Sequence, residues 1–322
     1  MGGGHSNVVP RQLADAPAAL FAGQIARDVL LRVDELPDAG SSGAVDVLRA
    51  VLGGKGANQA VAFAQLGGAP TLLGVVGDDE VGVELLRQAA SDGIDVEPVV
   101  RRAGAPSATI VEILQNDGCW RYLEHIPDEM LLRSSDVERV ESSFATARAV
   151  VLQLQQPPEP LLVAARIGRR RGATVLLDGA PPARLRDELL AVCDVLRADT
   201  HEASLLAGVE VDDARTALRA ARDLSREGPA IVMVGAGDDG DAVHWSDGDA
   251  VFAHEPTQVV DTTGAGDAMT AALALELIRG ASPASAAACA VAAAGRAVGY
   301  AGGRPRLRGW RPNSDQEGAG AR

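Results

Sequence analysis

Between residues 149 and 234, short apolar runs of strand length alternate with longer runs of helical character: 149–154 then 161–170, 174–177 then 185–193, and 230–234 at the end. Strands separated by helices run parallel, because each helix carries the chain back across a face of the sheet. The alternation therefore predicts an α/β fold, a doubly wound and mostly parallel sheet flanked by helices. The N-terminal third reads differently. Ala19-Leu20-Phe21-Ala22 and Val29-Leu30-Leu31-Arg32-Val33 read as strands, and the β-rich runs 107–114 and 119–123 flank Asn116-Asp117-Gly118, a hairpin signal. These segments predict a small β-sheet lid built from two insertions, at about 28–51 and 96–125. We expect one domain over about 19–310, with the polar, Gly- and Pro-containing ends, 1–18 and 311–322, disordered.

Composition narrows the partners. The chain has 322 residues, enough to bury a closed active site, with a formal net charge of −14 and 3% aromatic residues. Such a chain repels phosphate backbones and anionic membranes and is poor in stacking side chains, which argues against a nucleic-acid or membrane partner. The longest apolar stretch, 283–295, is shorter than the roughly 18 residues that a membrane-spanning helix requires. The N-terminus lacks the basic-then-apolar order of a signal peptide. Cys119, Cys193 and Cys289 are odd in number and lie at no metal-ligand spacing, so neither a disulfide framework nor a zinc site is expected. A cytoplasmic location fits best.

Two segments carry chemistry. In Gly53-Gly54-Lys55-Gly56-Ala57-Asn58-Gln59-Ala60, ahead of an apolar helical run at 61–66, the glycines let backbone approach a ligand. Lys55 and Asn58 supply the donors and acceptors that bind hydroxyls, so a polyol is a fitting ligand. The plainer alternative is a glycine-rich turn before an ordinary helix, with Lys55 solvated. It is no Walker A loop, since Gly56 follows Lys55 where Ser or Thr is required. In Asp261-Thr262-Thr263-Gly264-Ala265-Gly266-Asp267, small residues precede a helix expected to start near Ala268. Bare N–H groups at a helix N-terminus suit an anion, and Asp267 beside them is placed to take a proton from an attacking hydroxyl. The alternative here is an N-capping Asp or Thr ahead of an Ala-rich helix.

Together the two segments resemble the signature regions of the ribokinase-like (PfkB) carbohydrate kinases. Gly74-Val75-Val76-Gly77-Asp78-Asp79-Glu80-Val81-Gly82, Asp199-Thr200-His201-Glu202-Ala203 and Gly235-Ala236-Gly237 also match that family in order and spacing. The resemblance implies ATP as phosphoryl donor, Mg2+, and a monovalent cation, K+, beside the anion hole. It implies Asp267 as catalytic base and Asp28, Gly54, Lys55, Asn58 and Gln155 as sugar contacts. Gly264, Ala265 and Gly266 would form the anion hole, and Gly235, Ala236 and Gly237 would line the nucleotide. Glu202, with Asp199, matches the acid of an Asn-x-x-Glu motif that organises magnesium and phosphate. Asp261, Thr263, Ala297 and Gly302 match positions around the monovalent cation.

Four positions depart from the family pattern. Ala26 stands where ribokinases usually carry a sugar-binding Asn, Gln155 where they carry Glu, Asp199 where the motif has Asn, and Arg306 where a small residue is common near the cation. Residues 53–58 are more similar to ribokinases than to fructokinases or nucleoside kinases. Phosphorylation of D-ribose at its 5-hydroxyl is accordingly the expected reaction, with a ketohexose, sugar phosphate or nucleoside as alternative acceptors. A catalytically silent sugar- or nucleotide-binding protein is the alternative from another class, and the intact Asp267 argues against it. An NAD-dependent dehydrogenase is disfavoured because Met269 leaves the dinucleotide fingerprint incomplete. A homodimer is expected through the exposed edge of the lid sheet.

Overall fold

A computed structural model describes residues 16–117, 119–255 and 257–311. Gly118 of the hairpin and almost all of both expected tails lie outside the described residues. In chain order the first elements are β1 (Ala18–Ala22), β2 (Ala26–Val33), β3 (Val47–Gly53), α1 (Lys55–Gln65), β4 (Ala69–Leu73), β5 (Val75–Gly77), α2 (Glu80–Ser91), β6 (Val100–Arg102), β7 (Thr109–Gln115) and β8 (Trp120–His125). Next come α3 (Ser134–Arg139), β9 (Ala149–Gln153), α4 (Pro158–Arg170), β10 (Thr174–Asp178), α5 (Arg186–Ala191), β11 (Val195–Ala198), α6 (Thr200–Ala207) and α7 (Ala214–Ser225). The chain ends with β12 (Ile231–Gly235), β13 (Asp241–Trp245), β14 (Gly248–Phe252), α8 (Ala265–Arg279) and α9 (Pro283–Ala297).

The body is an eight-stranded sheet of order β14-β13-β12-β11-β10-β9-β1-β4. Strands β4, β1, β9, β10, β11 and β12 are parallel, and β13 and β14 extend one edge antiparallel. Alternate residues of each strand enter different cores. Leu20 packs with Val150 and Leu177 on one face, and Phe21 with Val151 and Leu176 on the other. Burial on both faces is why these strands read as unbroken apolar runs. The Ala-rich α8 and α9 pack on each other, as their composition predicts, because small side chains let two helices approach closely.

The small sheet is present, in the order β3-β2-β7-β8. Its register pairs Asp28 with Ile110, Leu30 with Glu112, and Glu112 with Tyr122, so Asp28, Glu112 and Tyr122 share one face.

Two helix starts correct the sequence reading. α1 begins at Lys55, so Lys55 and Asn58 lie in its first turn and not in a loop ahead of 61–66. α8 begins at Ala265, so Asp267 lies inside the first turn and not before a helix at Ala268. Glycine's low helix propensity made both starts read late. In each case a glycine is the N-cap and no side chain caps the helix; the Ala57 N–H is taken by the Gln24 carbonyl and the Ala265 N–H by that of Thr262, which leaves the rest of each first turn to face a ligand.

Candidate active site

In a parallel α/β sheet, ligands collect where strands end and the strand order reverses. Here β1 ends between β4 and β9, whose chains continue to opposite sides, and the polar residues gather at that end of the sheet. Asp178 closes β10, Asp199 follows β11, and Gly235 closes β12. The N-termini of α1 and α8 bring Lys55, Asn58, Gln59 and Asp267 to the same place. A surface groove between Gln65, Arg279 and Trp310 lies at the other end of these helices and holds none of these residues.

Asp267 is buried, at 6% exposure. Its carboxylate accepts hydrogen bonds from Gln59 Nε2 at 3.1 Å and from Asn58 Nδ2 at 3.4 Å. Burial, and then the charge of Asp178, push its pKa up to about 7, opposed by Lys55 and the two amides. A carboxylate tuned to this range is suited to general-base work near neutral pH. Asp178 itself is held by Gln59 Nε2 at 2.7 Å, Thr270 Oγ1 at 2.9 Å and Arg197 Nη1 at 3.3 Å. It stands behind Asp267 as a fixed negative charge.

The anion-hole segment is shaped by Gly264. Its φ is +79°, and a Cβ there would fall 2.1 Å from the Gly303 carbonyl oxygen, so the turn admits only glycine. Beyond it, Ala265 and Gly266 open α8, and the Arg197 guanidinium lies directly against Gly266. Neither Asp178 nor Arg197 was singled out from the sequence. A basic residue two positions before Asp199 on an otherwise apolar strand is the signal that could have pointed to Arg197.

On the small-sheet side of the site, Asp28 lies against Gly53, where a Cβ would sit 1.9 Å from its Oδ2. Burial raises the Asp28 pKa to about 7; the Gly54 N–H opposes this and Glu124 adds to it. The Lys55 ammonium lies 3.9 Å from Glu202 Oε1, linking the start of α1 to the start of α6. Ala26 is fully buried and offers no polar group, and Gln155 is exposed in the turn after β9. Asp28 Oδ1, Asn58 Oδ1 and Glu112 Oε1 are buried acceptors with no hydrogen-bond partner among the described residues.

Asp199 and Glu202 form a reciprocal capping box at the start of α6, with N–H to carboxylate distances of 2.8 and 2.9 Å. Glu202 is pushed up by burial and by Asp178. Gly235 lies against Thr200 at the same helix start, while Ala236 is buried and Gly237 takes φ +61°. Asp199, Glu202 and 235–237 are thus brought together. So are the four cation positions: Asp261 accepts from the N–H of Thr263 at 2.9 Å and of Gly302 at 2.7 Å, and its own N–H reaches the Val298 carbonyl just after Ala297. Arg306 turns away, its guanidinium 5.0 Å from the centre of the Tyr300 ring, and is exposed.

The pfkB family carbohydrate kinase profile matches residues 18–308. The chain belongs to the pfkB family of carbohydrate kinases. It is 34% identical over 274 residues to an ATP-dependent ribose-1-phosphate kinase of Halopiger xanaduensis, covering 78% of this chain and 82% of that one. It is 29% identical over 225 residues to a bifunctional ribokinase/ribose-5-phosphate isomerase A of Fructilactobacillus sanfranciscensis, covering 70% of this chain but only 42% of that relative's length. The structure of Arabidopsis thaliana ribokinase complexed with ribose and ATP is similar with a TM-score of 0.76 at 27% identity, covering 89% of this chain and 94% of that one. Among the described residues no helix is long and apolar enough to cross a membrane.

Proposed function

We propose that this carbohydrate kinase transfers the γ-phosphoryl group of ATP to a sugar hydroxyl held against Asp267, with D-ribose giving D-ribose 5-phosphate as its reaction. The observation that carries the reading is Asp267 itself: a buried carboxylate with a pKa near 7, in the first turn of an uncapped helix and within reach of two amides. Deprotonated, it accepts the proton of the attacking hydroxyl, while the first-turn N–H groups of α8 face the developing charge. The Arabidopsis ribokinase complex supports ribose and ATP as the substrates.

Asp28 and Asn58 orient the sugar through acceptors that lack partners in the protein. Each hydroxyl so bound contributes roughly 0.5–3 kcal/mol depending on charge. Ala26 and Gln155 forgo two such contacts, so ribose binds more weakly than in a pocket that carries both. The β3-β2-β7-β8 sheet acts as a lid, and Tyr122 on it meets the Thr263 hydroxyl in the anion-hole loop. The outer face of the lid exposes Leu48 and Leu123, which a second copy of the chain would cover.

The residues fit both implied metals. Among the described residues Glu202 Oε1 accepts no hydrogen bond and has only the Lys55 ammonium, 3.9 Å away, beside it, which leaves it available to magnesium at the phosphates. Among the described residues Asp261 has no salt-bridge partner, and the Glu112 carboxyl lies beside it, a setting that suits a monovalent cation. Bound magnesium would neutralise phosphate charge.

A coupled assay of ADP release over pentoses, hexoses and nucleosides tests this reading. Ribose-dependent ADP release is the expected result, and release with none of these acceptors contradicts it.

A further inference from the structure

We infer that Arg197 is a further catalytic residue of the proposed reaction, the buried guanidinium that receives the phosphoryl group as it passes from nucleotide to sugar. This rests on the sugar-kinase reading above. Arg197 interrupts the apolar strand Val195-Leu196-Arg197-Ala198, and its register pairs it with Asp178 on β10 and Met233 on β12. Val195 and Met233 both belong to the core shared with α1, α8 and α9, so the Arg197 side chain rises on that face of the sheet. Its guanidinium reaches the first turn of α8: a Cβ on Gly266 would fall 2.8 Å from Nη1 and 2.9 Å from Nη2. Glycine at 266 leaves the room that the guanidinium takes.

Burying a guanidinium is unfavourable unless its donors are met. The Arg197 side chain is 11% exposed, yet among the described residues it donates one hydrogen bond, from Nη1 to Asp178 Oδ1 at 3.3 Å, of the five that a guanidinium can give. Nε is buried with no hydrogen-bond partner among the described residues. A pair built for stability alone would set both prongs of the fork on the carboxylate. Asp178 instead turns Oδ2 to Gln59 and shares Oδ1 with Thr270, and Arg197 keeps donors in hand. The charges that act on Arg197 are Asp178, Glu202, Asp241 and Asp199, and Asp241 has its own partner in His254 Nε2 at 3.0 Å. Asp178 and Gly266 adjoin the base Asp267, while Asp199 and Glu202 open α6 on the side proposed for the nucleotide. Arg197 therefore stands between base and nucleotide, where the group in transfer must pass. Lys55, the basic group that acts on Asp267, is 38% exposed and lies toward Glu202, so the buried positive charge at the anion-hole turn is Arg197. In the transfer, the sugar hydroxyl oxygen bonds to the γ-phosphorus as the bond to the bridging oxygen of ADP breaks, and the hydroxyl proton goes to Asp267. Negative charge spreads over the equatorial oxygens of the phosphoryl group. A guanidinium stays charged at every working pH and its planar fork matches phosphoryl oxygens, so Arg197 adds to the remaining first-turn N–H groups of α8 and to the magnesium that Glu202 would hold.

The test measures kcat and the Michaelis constants for ribose and ATP, by ADP release from the full chain. An Arg197 that served only the fold would act by balancing Asp178, so its removal is measured where that charge is already gone. The double variant Asp178→Asn/Arg197→Met replaces the buried ion pair by a neutral pair of similar size, a change that buried pairs commonly tolerate. Against Asp178→Asn alone, we expect kcat to fall by about 100-fold or more with both Michaelis constants within about threefold. Arg197→Lys, which keeps the charge but not the fork, should lose about 10-fold in kcat with the thermal unfolding midpoint unchanged. If Arg197→Met changes kcat by less than about threefold in the Asp178→Asn background, or raises only the Michaelis constants, Arg197 is a counter-ion to Asp178 and the inference falls while the kinase reading stands. Where either Asp178→Asn protein fails to fold, Arg197→Lys decides alone, and a kcat equal to that of wild type overturns the inference. Turnover of no sugar by the wild-type protein overturns the kinase reading and this inference with it.

Discussion

In the body sheet, the sequence neighbours Leu20 and Phe21 are both fully buried, each in a different core, whereas Leu30 and Leu31 of the lid sheet are both only partly buried. The body has helices on both faces, so nearly every strand position is committed to packing. A polar residue among them, such as Asp178, has to be satisfied and is held by three side-chain donors. The lid has one face toward the site and one toward solvent, so its side chains answer to the ligand as much as to the core. Glu112 leaves an oxygen unpaired there, and Asp28 does the same. On the proposed function, chemistry belongs to the fully packed body and choice of sugar to the half-packed lid.

Substitutions on the two sides should therefore separate turnover from binding. The largest effect belongs to the body. Asp267→Asn keeps the side-chain shape and an acceptor for one of the two amide donors but removes the base, and turnover should fall by about 10² or more while nucleotide affinity is retained, as read by steady-state rates and ATP titration. Near-normal turnover in this variant would break the division between body and lid. A smaller effect belongs to the lid. Tyr122→Phe removes the hydroxyl that meets Thr263 and should raise the Michaelis constant for the sugar by about threefold with little change in kcat. A loss confined to kcat would place Tyr122 with the chemistry instead.

The same contrast explains how much was legible beforehand. The body alternation and the two glycine-rich segments stand out because parallel strands and helix N-termini impose their patterns on sequence. Asp267, Asn58 and Lys55 were found that way, although Gly56 and Gly266 hid the true starts of the helices that carry them. Asp178 was hidden because a carboxylate at a strand end looks like a turn residue, and its partners Gln59, Thr270 and Arg197 come from three distant elements. Glu112 was hidden for the opposite reason. A half-exposed strand tolerates a polar residue at every second position, so only the pairing register shows that this one faces the pocket.

The central claim is that Asp267 is the base and that its environment sets its working range, and the pH dependence of kcat tests it most directly. The base must be ionised, so kcat at saturating sugar and ATP should rise with pH through about 7 and level off above it. Asp28 and Glu112 also titrate near 7, so wild type alone does not assign the limb to one carboxyl. Asp178 distinguishes them, because its charge acts on Asp267 but is not among those acting on Asp28 or Glu112. Removing that negative charge in Asp178→Asn makes ionisation of Asp267 easier and lowers its pKa, so the limb should move toward acid by about one unit. A limb that stays in place in Asp178→Asn, or a wild-type kcat that is flat between about pH 6 and 8, would contradict the account.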